Sequence, residues 1–207
     1  MIQLSERTLG GWLEYWAEKT SDKEYIVYSD RDLRFTWSVF NQRVDNLAKG
    51  LLAIGVKKGS NVGIWATNVP DWLTFLYATA KIGAVLVTVN TNYKQSELEY
   101  LCKDSDMHTL CITDGTWECD YVDMTYKMLP ELRNCECGHL QSERFPYMKN
   151  VVFIGREKYA ACTTPPSCSS WVATSTTRCS RMRRKTWGAT TWSTCSTPLA
   201  PPASPRA

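Results

Sequence analysis

From Ala160 to Ala207 the chain has no acidic residue, and its only members of the Leu, Ile, Val and Phe set are Val172 and Leu199. So few apolar side chains cannot offset the entropy of ordering such a stretch, so any folded core has to precede it. The same stretch carries four of the nine cysteines and six of the nine prolines. Charge divides at the same place. The formal net charge of +3 combines an acidic first part with a last part that holds six Lys and Arg. The expectation is a foldable unit over residues 1–159, followed by a basic, Ser/Thr/Pro-rich, disordered tail over 160–207.

Several function classes are set aside by composition. Arg181, Arg183, Arg184 and Lys185 lie among Trp171, Trp187 and Trp192, residue types that bind nucleic acid. One short basic run without a folded module is a weak footprint, so no nucleic-acid partner is expected. The opening MIQLSERTLGG lacks an apolar signal core. The most apolar stretch, Leu73 to Val89, is interrupted by Lys81 and Gly83, so no membrane span is expected. A cytoplasmic protein with free thiols follows as the default.

Within residues 1–159 the hydrophobic period alternates. Thr8 caps a helix with an apolar stripe at Leu9, Trp12, Leu13 and Trp16. YIVYS and LRFTW, separated by DRD, form a hairpin. Phe40, Val44, Leu47, Leu51 and Ile54 mark a second helix, closed by Gly55. NVGIWAT is a buried strand. Asn68 then caps a helix with Pro70 in its first turn and a buried face at Trp72, Leu73, Leu76 and Ala80. AVLVTVN is the next strand. Ser96 and Glu99 make a capping box for a helix carrying Leu98, Leu101 and Cys102, and HTLCITD is a further strand. A loop-and-helix region spans Val122 to Leu132, and NVVFIG ends the series. This alternation predicts an α/β fold, a mostly parallel sheet with flanking helices on both faces.

No catalytic constellation stands out. His108 and His139 are the only histidines, and neither lies near a convincing nucleophile in sequence. CECGH places Cys135, Cys137 and His139 two apart, but a structural zinc site wants a fourth ligand and wider pairing, so a plain loop is expected. Cys119 has no flanking cation to activate it, so an inert thiol is expected. Neither G-x-G-x-x-G nor G-x-x-x-x-G-K-[ST] occurs.

Three pieces, GVKKGSNVGIW, NVPDWLTFLYATAKIGAVLVTVN and NTNYKQSELEYLCKDSD, carry a resemblance. Residues 36–106 closely resemble the N-terminal part of AMP-forming acyl-CoA synthetases, members of the adenylate-forming enzymes. The resemblance continues through FPYMKNVVFIGREKY and stops at Tyr159. It implies a longer parent that uses ATP and Mg²⁺ to convert a carboxylic acid to an acyl-adenylate, then transfers the acyl group to CoA. Fatty acids of medium or long chain are the substrates it implies. The family's next landmark is a phosphate loop of the type Y-T-S-G-T-T-G-x-P-K-G, which this chain lacks.

A reading-frame slip near Tyr159 accounts for that absence. Join the third base of each tail codon to the first two bases of the next. Ser196 and Thr197 then allow Tyr, and Pro198, Leu199 and Ala200 allow Thr, Ser and Gly. The remaining codons allow Thr, Thr, Gly, Phe, Pro, Lys and Gly. Residues 197–207 thus read Y-T-S-G-T-T-G-F-P-K-G in the shifted frame, with all eleven positions compatible. A native low-complexity tail would explain the composition but not the encoded motif.

The expectation is an inactive, truncated, frameshifted piece of an acyl-CoA synthetase. No catalytic, cofactor or metal residue is assigned to this chain, and ATP, Mg²⁺ and CoA belong to the intact parent. Two alternatives stay open: a non-catalytic α/β module that binds a partner, and a small enzyme using Cys119 or His108. Acyl-chain specificity and oligomeric state are not legible.

Overall fold

Residues 62–65 read as a continuous apolar run, and with Asn61 they become the strand around which the rest is arranged. The computed structural model describes residues 7–135 and 140–155. In chain order the elements are α1 (Leu9–Lys19), β1 (Glu24–Tyr28), β2 (Leu33–Thr36), α2 (Trp37–Ala53), β3 (Asn61–Trp65), α3 (Pro70–Ile82), β4 (Val85–Thr88), α4 (Gln95–Asp104), β5 (Thr109–Ile112), α5 (Tyr121–Met128) and β6 (Asn150–Phe153). β1 and β2 form an antiparallel hairpin, turned through Ser29–Arg31 and a left-handed Asp32. The other four strands make one parallel sheet in the order β4-β3-β5-β6. The expected mostly parallel α/β sheet is therefore present. The proposed tail, residues 160–207, lies outside the described residues.

Local signals placed most elements. The Thr8 hydroxyl accepts from Gly11 N–H at 3.1 Å and starts α1. The Thr36 hydroxyl does the same for Val39 N–H and turns the hairpin into α2. Gly55 has φ +87°, a left-handed value that favours glycine, and it follows α2 as expected.

Three details differ from the sequence reading. The buried side of α1 is Gly10, Leu13 and Ala17, while Leu9 and Trp12 are exposed. Gly10 faces Lys81 so closely that an added Cβ would lie 2.6 Å from the lysine Cγ, so α1 is pressed onto α3 by its small residues. The N-cap of α3 is Val69, not Asn68, and its buried face is Asp71, Thr74, Phe75, Ala78 and Thr79 rather than the leucine side. The threonines bury because their hydroxyls bond back to the helix, Thr74 to Pro70 O at 3.2 Å and Thr79 to Phe75 O at 2.8 Å. Finally, α4 starts two residues earlier than a Ser96 cap allows. Lys94 is its N-cap, and Glu97 closes the box by accepting from Lys94 N–H at 2.8 Å. Glu99 instead takes a hydrogen bond from Gln95 and pairs with Arg144.

Ion pairs join the helices, and of these the Arg43–Asp71 pair is buried on both sides. The Lys81 ammonium reaches Glu14 on α1 at 2.8 Å and, on α2, Asp45 at 2.6 Å and Asn41 at 2.8 Å. Arg43 on α2 meets Asp71 on α3 at 2.9 Å and lies over the Phe35 ring of β2. Burial lowers Arg43 to about 10, against the opposing pull of Asp71.

Candidate functional site

In an open parallel sheet, ligand crevices form at the carboxyl ends of strands where the strand order reverses. Here β3 is followed by β4 on one side and β5 on the other, so the reversal lies between β3 and β5. The residues at that end are Trp65, Ala66 and Thr67 after β3, and Thr113 to Tyr121 after β5.

Aromatic side chains occupy this place. Trp65 and Tyr121 stack with centroids 3.8 Å apart and planes 15° from parallel. Trp65 Nε1 donates to Asn90 O at 3.1 Å, and the Tyr121 hydroxyl donates to Thr91 O at 2.9 Å. Both bonds hold the loop between β4 and α4 over the strand ends. Burial pushes the Tyr121 phenol up to about 12, so it remains a donor across the physiological range. Among the described residues, the Thr113 hydroxyl, on a residue 2% exposed, has no hydrogen-bond partner. Gly115 has φ +113°, and a Cβ there would collide with the Cys119 carbonyl, so the turn after β5 requires glycine.

A phosphate cradle needs successive backbone N–H groups that open onto the ligand, with a cation beside them. In this turn the donors point inward. Thr116 N–H bonds to Cys119 O, Cys119 N–H to Thr116 Oγ1, and Tyr121 N–H to Asp114 O. The nearby cation, Lys94, lies 3.1 Å from Cys119 Sγ. This arrangement does not fit ATP phosphates or their metal. Among the described residues, no group of three or more His, Cys, Asp or Glu side chains is placed to hold a metal ion.

The individual candidates are scattered. His108 lies before β5, at the opposite end of the sheet, with Nδ1 2.9 Å from Thr109 Oγ1. Burial and the charges of Lys149 and Lys57 hold its imidazole below the usual value. Cys137 and His139 lie outside the described residues, and Cys135 is half-buried. The sequence offered no cation for Cys119, but the fold brings Lys94 to it from 25 residues upstream. That hydrogen bond is the main reason the Lys94 ammonium is held above its usual value. No sequence spacing signals such a pair, because it depends on the loops after β4 and β5 meeting.

Two thiols are buried in the core, Cys102 on α4 and Cys111 on β5. Burial, aided by the Glu99 charge, pushes Cys102 up to about 12, and burial alone raises Cys111. A thiol held that high stays protonated at pH 8, and the thiolate is the reactive form. Iodoacetamide at pH 8 should therefore leave Cys102 and Cys111 unmodified in the folded protein and alkylate both in guanidinium, as read by peptide mass mapping. Ready alkylation of both under native conditions would contradict the packing described.

Comparison with known proteins adds the family. The model for AMP-binding enzymes matches residues 13–167. The chain belongs to the AMP-binding enzyme family. The acyl-CoA synthetase candidate YngI of Bacillus subtilis (strain 168) is 44% identical over 158 residues, which are 76% of this chain and 29% of YngI. The human mitochondrial medium-chain acyl-CoA ligase ACSF2 is 33% identical over 151 residues, 73% of this chain and 25% of ACSF2. A solved structure from Rhodopseudomonas palustris CGA009, described as a candidate long-chain-fatty-acid CoA ligase, superposes with a TM-score of 0.62 at 23% identity. It covers 78% of this chain and 36% of that one, which shows the fold. The chain thus spans less than a third of the length of these curated AMP-binding relatives. Among its described residues no helix is long and apolar enough to cross a membrane.

Proposed function

We propose that residues 1–159 are the N-terminal part of an AMP-forming acyl-CoA synthetase, and that residues 160–207 are translated out of frame. The parent reaction is ATP-dependent adenylation of a carboxylic acid, a medium- or long-chain fatty acid, followed by thioester formation with CoA in the cytoplasm. One observation carries the reading: residues 197–207 can be retranslated, one base out of register, as an eleven-residue phosphate loop. Two bases of each shifted codon are largely dictated by the tail, so each position admits few residues and a chance match of eleven is improbable. Relatives named as acyl-CoA synthetases and ligases support the substrate class. The aromatic closure at the strand ends accords with a chain whose nucleotide chemistry is encoded elsewhere.

In this reading the 207-residue polypeptide contributes a scaffold and no catalytic group. The test is the nucleotide sequence between the codons for Lys158 and Thr163. A one-nucleotide deletion or equivalent shift is expected there, with an alternative frame that spells the Ser/Thr/Gly-rich loop downstream. Codons at 197–207 that cannot spell that loop in either other frame would remove the proposal.

A further inference from the structure

Two side chains from different loops meet beside the strand ends, an amine against a thiol. Lys94 Nζ donates to Cys119 Sγ at 3.1 Å. Each partner is held by its own backbone. Lys94 N–H donates to Glu97 Oε2 at 2.8 Å, which fixes the start of α4. Cys119 closes the turn after β5, where its carbonyl accepts from Thr116 N–H at 2.8 Å and its own N–H donates to Thr116 Oγ1 at 3.2 Å. The bonds from Trp65 to Asn90 and from Tyr121 to Thr91 keep the two loops together. The amine and the thiol are thus placed before any reaction, and their encounter becomes an intramolecular step.

Reactive thiols lie beside a cation, and Lys94 supplies one. Cys119 is 4% exposed, yet it directly follows Trp117 and Glu118, both exposed, and Lys94 is exposed as well. A thiol one layer below the surface admits a reagent the size of water and excludes a bulky one. Cys102 is the contrast within the same fold. Its sulfur has Met107 Sδ as a neighbour at 3.7 Å, a group that cannot condense with a sulfenic acid.

We propose that Lys94 and Cys119 form a peroxide-sensitive modification site, which closes into a sulfenamide bond between Sγ and Nζ. In the first step the Cys119 sulfur attacks one oxygen of hydrogen peroxide and the O–O bond breaks. The other oxygen leaves with the thiol proton as water, so the sulfur is oxidised by two electrons to a sulfenic acid and the peroxide is reduced. In the second step Lys94, having given its extra proton to solvent, attacks Sγ with the Nζ lone pair. The S–O bond breaks, and the departing hydroxide takes a proton from the nitrogen and leaves as water. A thiol reductant reverses the link, returning the thiol and the amine and becoming a disulfide itself. Because β3 lies between β4 and β5, the bond ties the loop after β4 to the turn after β5 across the carboxyl end of β3. The site stands apart from the acyl-CoA synthetase reading.

Treatment of the reduced, folded 207-residue chain with hydrogen peroxide, followed by peptide mass mapping, tests it. The expected product is a joined peptide that contains Lys94 and Cys119, lighter by two hydrogens than the separate peptides and parted again by dithiothreitol. It should form at least about tenfold more in the folded chain than in guanidinium. Lys94→Arg keeps the cation but removes the nucleophilic amine, so the link should vanish and dimedone should capture the sulfenic acid at Cys119 instead. Cys119→Ser should abolish both products. No joined peptide, equal yield in guanidinium, a link that survives Lys94→Arg, or Cys119 joined to another cysteine in place of Lys94 would overturn the proposal. Should Lys94→Arg fail to fold, the wild-type yields in the folded chain and in guanidinium decide. None of these measurements reads synthetase activity, so their failure leaves the proposed function standing.

Discussion

On its own, the purified 207-residue chain should release no pyrophosphate from ATP when a fatty acid is supplied. Adenylation concentrates negative charge around the α-phosphate, and an enzyme accelerates it only by binding that charge more tightly than it binds the substrates. Each oriented donor removed from such a site costs about a hundred- to a thousandfold in rate. In frame, residues 191–207 contain no glycine, and Pro198, Pro201, Pro202 and Pro205 have no N–H to offer. The crevice between β3 and β5 spends its donors inside the turn after β5. Several donors are therefore missing at once, and the expected activity is below detection, more than about ten-thousandfold under a complete enzyme. Restoring the frame with the downstream sequence should recover it. Changing Cys119 or His108 in the 207-residue chain should alter nothing. Fatty-acid-dependent pyrophosphate release from this chain, free of host synthetase, would place a phosphate site within residues 1–159 and overturn the proposed function.

The second large effect concerns stability. Arg43→Met should destabilise the folded unit by about 3–5 kcal/mol, because it leaves the Asp71 carboxylate buried without its guanidinium. The two side chains are 11% and 7% exposed, so solvent screens the pair little. In a unit of this size the loss corresponds to a fall in Tm of roughly 10 °C. Asp71→Leu added to Arg43→Met should return most of it, since an apolar pair of similar volume carries no stranded charge. Urea denaturation of the single and double variants measures both. An Arg43→Met variant within about 1 kcal/mol of wild type would mean that the carboxylate finds water, against the packing of α2 on α3.

What the sequence made legible was the order and kind of elements, because period two and period 3.6 are written in single side chains. The errors fall where one residue competes with its neighbour. Asn68 and Ser96 are good capping residues by type, yet Val69 and Lys94 take those positions. On α3 the leucine side looked buried, but Thr74 and Thr79 satisfy their own hydroxyls and pass into the core as compact apolar shapes. The candidate site was hidden for another reason. Trp65, Asn90, Thr91 and Tyr121 come from three loops or strand ends, and Lys94 meets Cys119 only after those loops converge. Such meetings belong to topology, which spacing along the chain does not encode.

The strand order also sets a timetable for assembly. A sheet numbered β4-β3-β5-β6 grows outward from its middle, so β3 can gain its first partner once the chain has reached β4, and β5 then joins the other flank. β6 must wait for the whole stretch between Thr109 and Asn150, its first register partner, to close as a loop. Closure entropy rises slowly with length, but non-local pairing is still the slow part of folding. During synthesis, Val151, Val152 and Phe153 of β6 are therefore the last apolar run of the described sheet to find shelter. The proposed slip falls only six residues after Phe153, late enough for the ribosome to have delivered all four described strands of the parallel sheet.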